Sequence, residues 1–159
     1  MLTNHYLVVT AVVLLVAGIA ARFTVSGIKD WYPTIKIPSW TPAGSLISRI
    51  WLIIYICSAI SAIMFWNKVS DPMLLKLVMG LFIVNGFLNL IWTYIFFVAH
   101  KKFLAVVDVV LLTISVLLLM ISIWPVSMVA SLLLLPYILW TAVVSFLSYT
   151  IWKLNESKV

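Results

Sequence analysis

Two asparagines and a tryptophan near the middle of the chain are spaced to lie on one face of a helix. Asn85 and Asn89 are four residues apart in an apolar run, and Trp92 follows three residues later. Because an α-helix places residues three or four apart on the same face, these side chains form one stripe. Two carboxamides and an indole would suit a ligand with polar edges and a flat apolar body. Hydrogen bonding between helices, worth about 0.6–2 kcal/mol in a membrane, explains the stripe equally well.

Aromatic residues form similar pairs in two other apolar segments. Trp51 and Tyr55 are four residues apart, and Tyr137 and Trp140 are three apart, directly after Pro136. A proline within a helix removes a backbone hydrogen bond and bends the helix, so the second pair is expected beside a bend. Both pairs join the asparagine stripe as candidate ligand contacts. The remaining tryptophans at segment borders are typical of aromatic belts at membrane surfaces: Trp31, Trp66, Trp124 and Trp152.

Asp108 is the one acidic residue that falls inside a long apolar segment. It lies near the expected start of a helix, where the helix dipole favours a negative charge. An ion pair with Lys101 or Lys102, or the dipole alone, would explain the residue. A ligand contact or a role in proton transfer is the alternative, because acidic groups inside a membrane are commonly functional.

The composition excludes a soluble protein. Of the 159 residues, 65% are hydrophobic and 9% are charged, and the mean hydropathy is +1.25. Soluble domains have about 45–50% apolar and about 25% charged residues. The chain is therefore expected to be an integral membrane protein. Its net charge of +6 comes from basic residues scattered along segment edges without a basic motif, so no nucleic-acid partner is expected.

The sequence also lacks the residue combinations that are typical of metal sites and hydrolytic enzymes. His5 and His100 lie near opposite ends of the predicted spans, so a shared metal ion is not expected. Cys57 is the single cysteine, which excludes a disulfide within the chain and fits a small packed apolar residue. The sequence contains no zinc-ligand spacing, glycine-rich phosphate loop or Ser-His-Asp set. We therefore expect no metal and no resident cofactor.

Five segments are long and apolar enough to cross the hydrocarbon core of a membrane, which takes roughly 20 helical residues. They cover residues 6–26, 44–66, 73–99, 103–123 and 126–152. A cleaved signal peptide is the alternative for the first segment, but the start MLTNHY lacks the positive charge of a signal peptide. The prediction is an all-α bundle of five transmembrane helices in a single domain, with sequence neighbours mostly packed antiparallel. The one long connection, residues 27–43, is rich in tryptophan and proline.

Basic residues are distributed unevenly between the two sides of these segments. One side carries Arg22, Lys29, Lys36, Arg49, Lys101, Lys102, Lys153 and Lys158, and the other carries Lys68 and Lys76. Lysine and arginine accumulate on the cytoplasmic side of membrane proteins. The sequence therefore predicts that the long connection and the C-terminus face the cytoplasm, with the N-terminus outside.

Several motifs together resemble those of the TspO/MBR family of tryptophan-rich sensory and translocator proteins. The run WYPTIKIPSWTP, followed by Trp51 and Tyr55, is similar to the family's first loop and second helix. Asn85, Asn89, Trp92, Phe96 and Phe97 match the pattern of its third helix, and LLPYILW with IWKLN matches its fifth. The resemblance covers about residues 20–155.

The resemblance implies a five-helix bundle whose first loop closes a ligand pocket. Family ligands are porphyrins such as protoporphyrin IX, haem, and in some members sterols and synthetic drugs. The pocket residues carried over are Tyr32, Trp40, Trp51, Tyr55, Asn85, Asn89, Trp140 and Val144; Trp92 and Tyr137 are added because of their helix faces. Indole stacking on a flat macrocycle and asparagine donors at its polar edge make physical sense of this set. Porphyrin or haem is thus expected as a ligand of a receptor, sensor or transporter.

The resemblance also implies alternative functions and further partners. One alternative is an enzyme that degrades porphyrin in light, in which Trp51 and Trp140 would be the catalytic residues. Another is a regulatory partner of a second membrane protein, and family members are commonly homodimers. A sterol-type pattern formed by Leu147, Tyr149 and Lys153 suggests a contact with membrane sterol. A prokaryotic cell membrane is the expected location.

The sequence departs from the family pattern at positions close to the expected pocket. Ile37, with Lys36 beside it, replaces the lysine before the loop proline, and Ala43 replaces the second proline of a pair. In the fifth segment Val143-Val144 replaces a Phe-Ala pair, and Ser148 replaces a frequent asparagine. These changes predict a looser loop, and either tighter helix packing or a narrower pocket at Val144. They affect the expected ligand range more than the fold.

Overall fold

The computed structural model describes residues 4–156, and within them the chain forms a bundle of apolar helices. The helices are α1 (Asn4–Asp30), α2 (Gly44–Lys68), α3 (Pro72–Phe97), α4 (Lys102–Ile123), α5 (Met128–Leu132) and α6 (Leu135–Leu154). Four of them and the combined α5–α6 segment, Met128–Leu154, are long and apolar enough to cross a membrane. The predicted all-α class with five transmembrane helices is therefore confirmed. Lys158, which contributed to the predicted charge bias, lies outside the described residues.

The helix boundaries follow from local sequence signals. Asp71 caps α3 by accepting a hydrogen bond from the Met73 N–H at 2.8 Å, and Pro72 occupies the first turn, where its missing N–H is not needed. At the end of α3, His100 has a φ of 59°, and the Lys101 N–H donates to the Ile95 carbonyl at 3.0 Å. A left-handed residue with this bond closes a helix C-terminus, which permits the short turn into α4.

The fifth membrane segment is divided rather than merely bent. Pro136 lies in the first turn of α6, and the turn at residues 133–134 separates that helix from the five-residue α5. Ser127 caps α5 by accepting a bond from the Ala130 N–H at 3.3 Å. The break places Tyr137 and Trp140, both buried, in the first turns of a new helix.

The helices form a ring in which α1 packs on α2 and α3, α3 on α4, α4 on α6, and α2 on α5 and α6. Sequence neighbours therefore pack together, except that α2 and α3 barely touch. The segments buried most deeply are α4 and the combined α5–α6 segment, and in α4 the side chains of Leu112, Val116 and Leu119 are fully inaccessible. The gap between α2 and α3 is covered by α1.

Residues 31–43, called the first loop below, are fixed to the helix ends on one side of the bundle. The Lys36 N–H donates to Asn155 Oδ1 at 2.9 Å, and Asn155 Nδ2 donates to the Lys36 carbonyl at 2.8 Å. The Trp31 ring stacks on His100 with centroids 4.5 Å apart. Because α1 continues to Asp30, the loop begins four residues later than the sequence predicted.

Gly27 allows α1 and α3 to approach closely beside this loop. A Cβ at Gly27 would lie 2.5 Å from the Phe97 carbonyl oxygen, whereas a Cβ at Gly18 would meet nothing within 4 Å. We expect Gly27→Ala to lower the midpoint of thermal unfolding in detergent, because overpacking costs about 1–3 kcal/mol. Gly18→Ala is the matched control and should leave the midpoint unchanged or raise it. Equal midpoints of thermal unfolding for Gly27→Ala and Gly18→Ala would contradict the close approach of α1 to α3 at Gly27.

Candidate ligand pocket beside the first loop

The predicted asparagine stripe is built into hydrogen bonds between helices. The Tyr55 hydroxyl donates to Asn89 Oδ1 at 2.9 Å, which joins α2 to α3. Asn85 Nδ2 donates to Ser115 Oγ at 2.8 Å, which joins α3 to α4. Asn85 and Asn89 are 5% and 2% exposed, and the Tyr137 hydroxyl lies beside both carboxamides. Both asparagines of the stripe therefore make hydrogen bonds between helices, as one of the two explanations required. Ser115, the partner of Asn85, could not be identified from sequence spacing.

Four buried polar atoms make no hydrogen bond within residues 4–156: Ser58 Oγ, Trp92 Nε1, Asp108 Oδ2 and Trp140 Nε1. A buried polar atom left unpaired costs about 1–3 kcal/mol. Such atoms in a folded protein call for an explanation, and a bound molecule is one. Trp92 and Trp140 belong to the predicted ligand set, whereas Ser58 and Asp108 do not.

Asp108 does not pair with the neighbouring lysines, so that prediction is wrong. Lys102 Nζ instead lies 5.5 Å from the centre of the Trp31 ring, where a cation–π contact holds it at the first loop. Among residues 4–156 the ion pair present is Lys153–Glu156, at 2.8 Å. Asp108 lies beyond the first turn of α4, where the helix dipole has little effect. Asp108, a residue that is 6% exposed, thus keeps an unpaired carboxyl oxygen.

Aromatic rings surround these polar groups on the side of the first loop. The Trp51 ring lies 5.8 Å from Tyr55 and 6.0 Å from Tyr137, so α2 and α6 meet through aromatic contacts. The Trp92 ring stacks on Phe96 at 5.5 Å, and Tyr32 lies 6.4 Å from Phe96. Burial raises the pKa of the Tyr32 phenol, so the neutral hydroxyl persists there.

Trp40 and the residues of the sterol-type pattern lie apart from the aromatic rings that surround the buried polar groups. Trp40 is 45% exposed and stacks on Phe146, a residue on the outer surface of α6. Val144 is buried one turn from Trp140, on the same side of α6. Leu147 faces the core, whereas Tyr149 is exposed and Lys153 lies over the Trp152 ring. The three residues of the sterol-type pattern are therefore not on one face.

A cavity of about 340 Å³ adjoins the asparagine network on its α1 side. Four predicted ligand residues line it: Tyr55, Asn85, Asn89 and Tyr137. The other predicted residues do not line it: Tyr32, Trp40, Trp51, Trp92, Trp140 and Val144. The α1 wall of this cavity was not predicted from the sequence, because a continuous valine-rich run carries no polar or periodic signal.

The arrangement defines a multi-pass helical membrane protein with an internal polar and aromatic centre, and comparison with known proteins assigns its family. A family model described as the TspO/MBR family matches residues 8–153, and the chain belongs to that family. It is 35% identical over 127 residues to the tryptophan-rich protein TspO of Bacillus cereus, covering 80% of this chain and 82% of the relative. Identity to protein CrtK of Rhodobacter capsulatus is 32% over 128 residues, 80% of each chain. Identity to the translocator protein of Sus scrofa is 30% over 131 residues, covering 80% of this chain and 76% of the relative.

Proposed function

We propose that the chain is a membrane receptor, sensor or transporter for a flat tetrapyrrole, such as protoporphyrin IX or haem, bound beside the first loop. The observation that carries the proposal is the set of unpaired buried atoms on three adjoining helices: Trp92 Nε1 on α3, Asp108 Oδ2 on α4 and Trp140 Nε1 on α6. A ligand with oxygen acceptors and N–H donors can pair with indole N–H groups and a carboxylate. A free-base porphyrin carries both kinds of group, with oxygen acceptors in its propionates and two N–H groups at the centre of its ring, whereas haem carries only the acceptors.

The surroundings of these atoms also suit such a ligand. The rings of Trp51, Trp92 and Tyr137 offer apolar faces on which a flat macrocycle can stack. Basic residues of the first loop and of the adjoining turn, among them Lys36, Lys101 and Lys102, place positive charge at the same end. Positive charge around a pocket raises the local concentration of an anionic ligand, and porphyrin propionates are anionic.

Titration of the purified protein with protoporphyrin IX tests this proposal. We expect quenching of indole fluorescence and a shift of the porphyrin absorbance band. Trp140→Phe keeps an aromatic ring but removes the unpaired N–H, so the affinity should fall about fivefold, as for the loss of one net hydrogen bond of about 1 kcal/mol. The measurement is the dissociation constant obtained from both signals.

Trp124→Phe is the control for this substitution. Trp124 is 50% exposed in the turn at the opposite end of the bundle, so its loss should leave the porphyrin affinity unchanged. Absence of any porphyrin-dependent signal in the wild-type protein would overturn the proposal. Equal affinities of Trp140→Phe and wild type would remove the assigned role of the indole N–H.

A second candidate function is light-dependent degradation of bound porphyrin, with dissolved O₂ as the oxidant. The observation in its favour is the cluster of Trp51, Tyr55 and Tyr137, whose neighbouring ring centroids are 5.8 and 6.0 Å apart. An excited porphyrin would take an electron from one of these rings and pass it to dissolved O₂, which becomes superoxide. The ring radical cation would recover an electron from the macrocycle, and the macrocycle radical cation would combine with superoxide, so that the rings are regenerated and O₂ is the net oxidant. Trp51 and Trp140 would be the residues closest to the chemistry.

We further propose that the first loop faces the cytoplasm, because the basic residues cluster at its end of the bundle. Single cysteines in a Cys57→Ala background test this orientation. Ser39→Cys in the first loop should resist a membrane-impermeant maleimide applied to intact cells, whereas Ser70→Cys, exposed at the other end, should react. The reverse labelling pattern would overturn the orientation, and both sites should react after cell lysis.

A further inference from the structure

The cavity between α1, α2 and α3 lies mainly in the half of the bundle away from the first loop. Its α1 wall runs from Val8 to Val16, which spans about 12 Å at 1.5 Å per helical residue. It forms where α2 and α3 separate beneath α1. Near Gly86 the space narrows, because a Cβ there would lie 3.4 Å from Val16 Cγ2. The volume of the cavity is about 340 Å³.

The cavity walls are apolar with a polar end. Valines of α1 face Ala62 of α2 and Met79 and Phe82 of α3. The polar end of the cavity is formed by the hydrogen-bonded side chains of Tyr55, Asn85 and Asn89. The unpaired Ser58 Oγ also lies in the lining and is available as a hydrogen-bond donor. None of the described residues that line the cavity is Lys, Arg, Asp or Glu. Since a charged group there would have no counter-charge, this chemistry selects an uncharged occupant.

The cavity is open toward the lipid-facing surface of the bundle. Four of its lining side chains on α1 and α3 are between 44% and 65% exposed: Val8, Val12, Ile83 and Phe87. At its far end, Trp66 stacks with His5 at 5.3 Å, and His5 also bonds Asn67 at 2.9 Å. These contacts brace α1 against α2, so the opening lies between α1 and α3. A molecule dissolved in the bilayer can reach it without crossing the first loop.

We propose that this cavity binds one hydrocarbon chain of an uncharged, single-chain membrane lipid with a hydroxyl or ester head group, of the monoacylglycerol type. The chain lies along the α1 valines, and an oxygen of the head group accepts a hydrogen bond from Ser58 Oγ. A volume at the lower end of the range for ligand pockets, about 300–1,000 Å³, fits one chain better than a rigid macrocycle. This site adjoins the proposed tetrapyrrole site, because four residues expected to contact the tetrapyrrole also line the cavity: Tyr55, Asn85, Asn89 and Tyr137.

Photo-crosslinking in lipid nanodiscs tests the lipid site. The probe is a medium-chain monoacylglycerol with a diazirine in its chain, and mass spectrometry locates the labelled residues. We expect labelling concentrated on cavity-facing positions of α1, such as Val9 and Val13, that saturates with probe concentration. Competition by unlabelled monoacylglycerol should be stronger than competition by the matching fatty acid. Labelling restricted to outward positions such as Leu14 and Leu15, without saturation, would show annular lipid only and overturn the proposal.

Matched variants show whether a loss of labelling comes from filling the cavity or from a general disturbance of the helices. Val9→Phe and Ala62→Phe fill the cavity and should abolish saturable labelling, whereas Val25→Phe and Ile60→Phe, on the exposed faces of the same helices, should preserve it. Ser58→Ala should weaken the competitor's affinity about fivefold, as expected for one hydrogen bond. Unchanged labelling in both filled variants would overturn the site.

Elution of each variant as a single species in detergent verifies folding, and only folded variants enter the comparison. Porphyrin titration of the same samples keeps the two proposals distinct. Loss of lipid labelling with retained porphyrin binding supports two separate sites. A wild-type protein that labels saturably but binds no porphyrin overturns the proposed function alone.

Discussion

Replacement of Asp108 by asparagine is expected to stabilise the unliganded protein while weakening its binding of protoporphyrin IX. Asp108 as a whole residue is 6% exposed, and its Oδ2 has no hydrogen-bond partner among residues 4–156. Burial of an unpaired polar or charged group costs free energy, so asparagine, of the same size and uncharged, lowers that cost. The midpoint of thermal unfolding in detergent should rise by several degrees, since about 1 kcal/mol corresponds to roughly 2–4 °C.

The loss of binding in Asp108→Asn follows from the same unpaired oxygen. If a ligand N–H donates to the carboxylate, a charge-assisted bond worth about 1.5–3 kcal/mol is weakened or lost. The dissociation constant for protoporphyrin IX should therefore rise about tenfold. A gain in stability with a loss in affinity is the signature of a group retained for binding, because binding sites commonly keep groups that reduce stability.

Asp71→Asn provides the control for this pair of measurements. Asp71 caps α3 at the opposite end of the bundle, and asparagine is about as good an N-cap as aspartate. This variant should keep both the unfolding midpoint and the porphyrin affinity of the wild type. A fall of both quantities in Asp108→Asn would instead assign Asp108 a structural role.

The sequence was sufficient for the features that depend on hydropathy and helix periodicity. Five apolar helices are dictated by segment length and composition, because an apolar run in lipid satisfies its backbone only as a helix or a closed barrel. The four-residue spacing of Asn85 and Asn89 correctly indicated a shared helix face. Which helices receive their hydrogen bonds depended on packing, and Ser115 could not be identified from spacing alone.

Other features of the candidate pocket required the three-dimensional structure. Lys102 was an obvious partner for Asp108 in sequence, but the stacked pair of Trp31 and His100 at the first loop draws the lysine toward the indole. Trp40 matches a family motif, yet it stacks on the outer face of α6 against Phe146. The valine wall of the cavity between α1, α2 and α3 could not be recognised in the sequence, because lipid-facing and inward-facing residues are equally apolar in a membrane helix.

Illumination of the porphyrin complex of the double variant Trp51→Phe/Trp140→Phe is expected to leave the porphyrin largely intact. In the wild type, light-excited porphyrin would take an electron from a nearby indole and pass it to dissolved O₂, which begins the oxidation of the macrocycle. Trp51 connects α2 to Tyr137 of α6, and Trp140 lies one turn farther along α6. Phenylalanine preserves ring packing but is much harder to oxidise. The rate of porphyrin absorbance loss at saturating occupancy should fall about tenfold or more, equivalent to roughly 1.4 kcal/mol of activation free energy.

The double variant Trp124→Phe/Trp152→Phe removes the same number of indoles from the two ends of the bundle. Because Trp124 is half-exposed and Trp152 packs outward with Phe103 and Tyr149, this control should degrade porphyrin at the wild-type rate. Removal of O₂ should stop the loss in every variant, since O₂ is the oxidant. Equal rates in both double variants would show that bound porphyrin bleaches without help from the pocket tryptophans, and the protein would then act by binding alone.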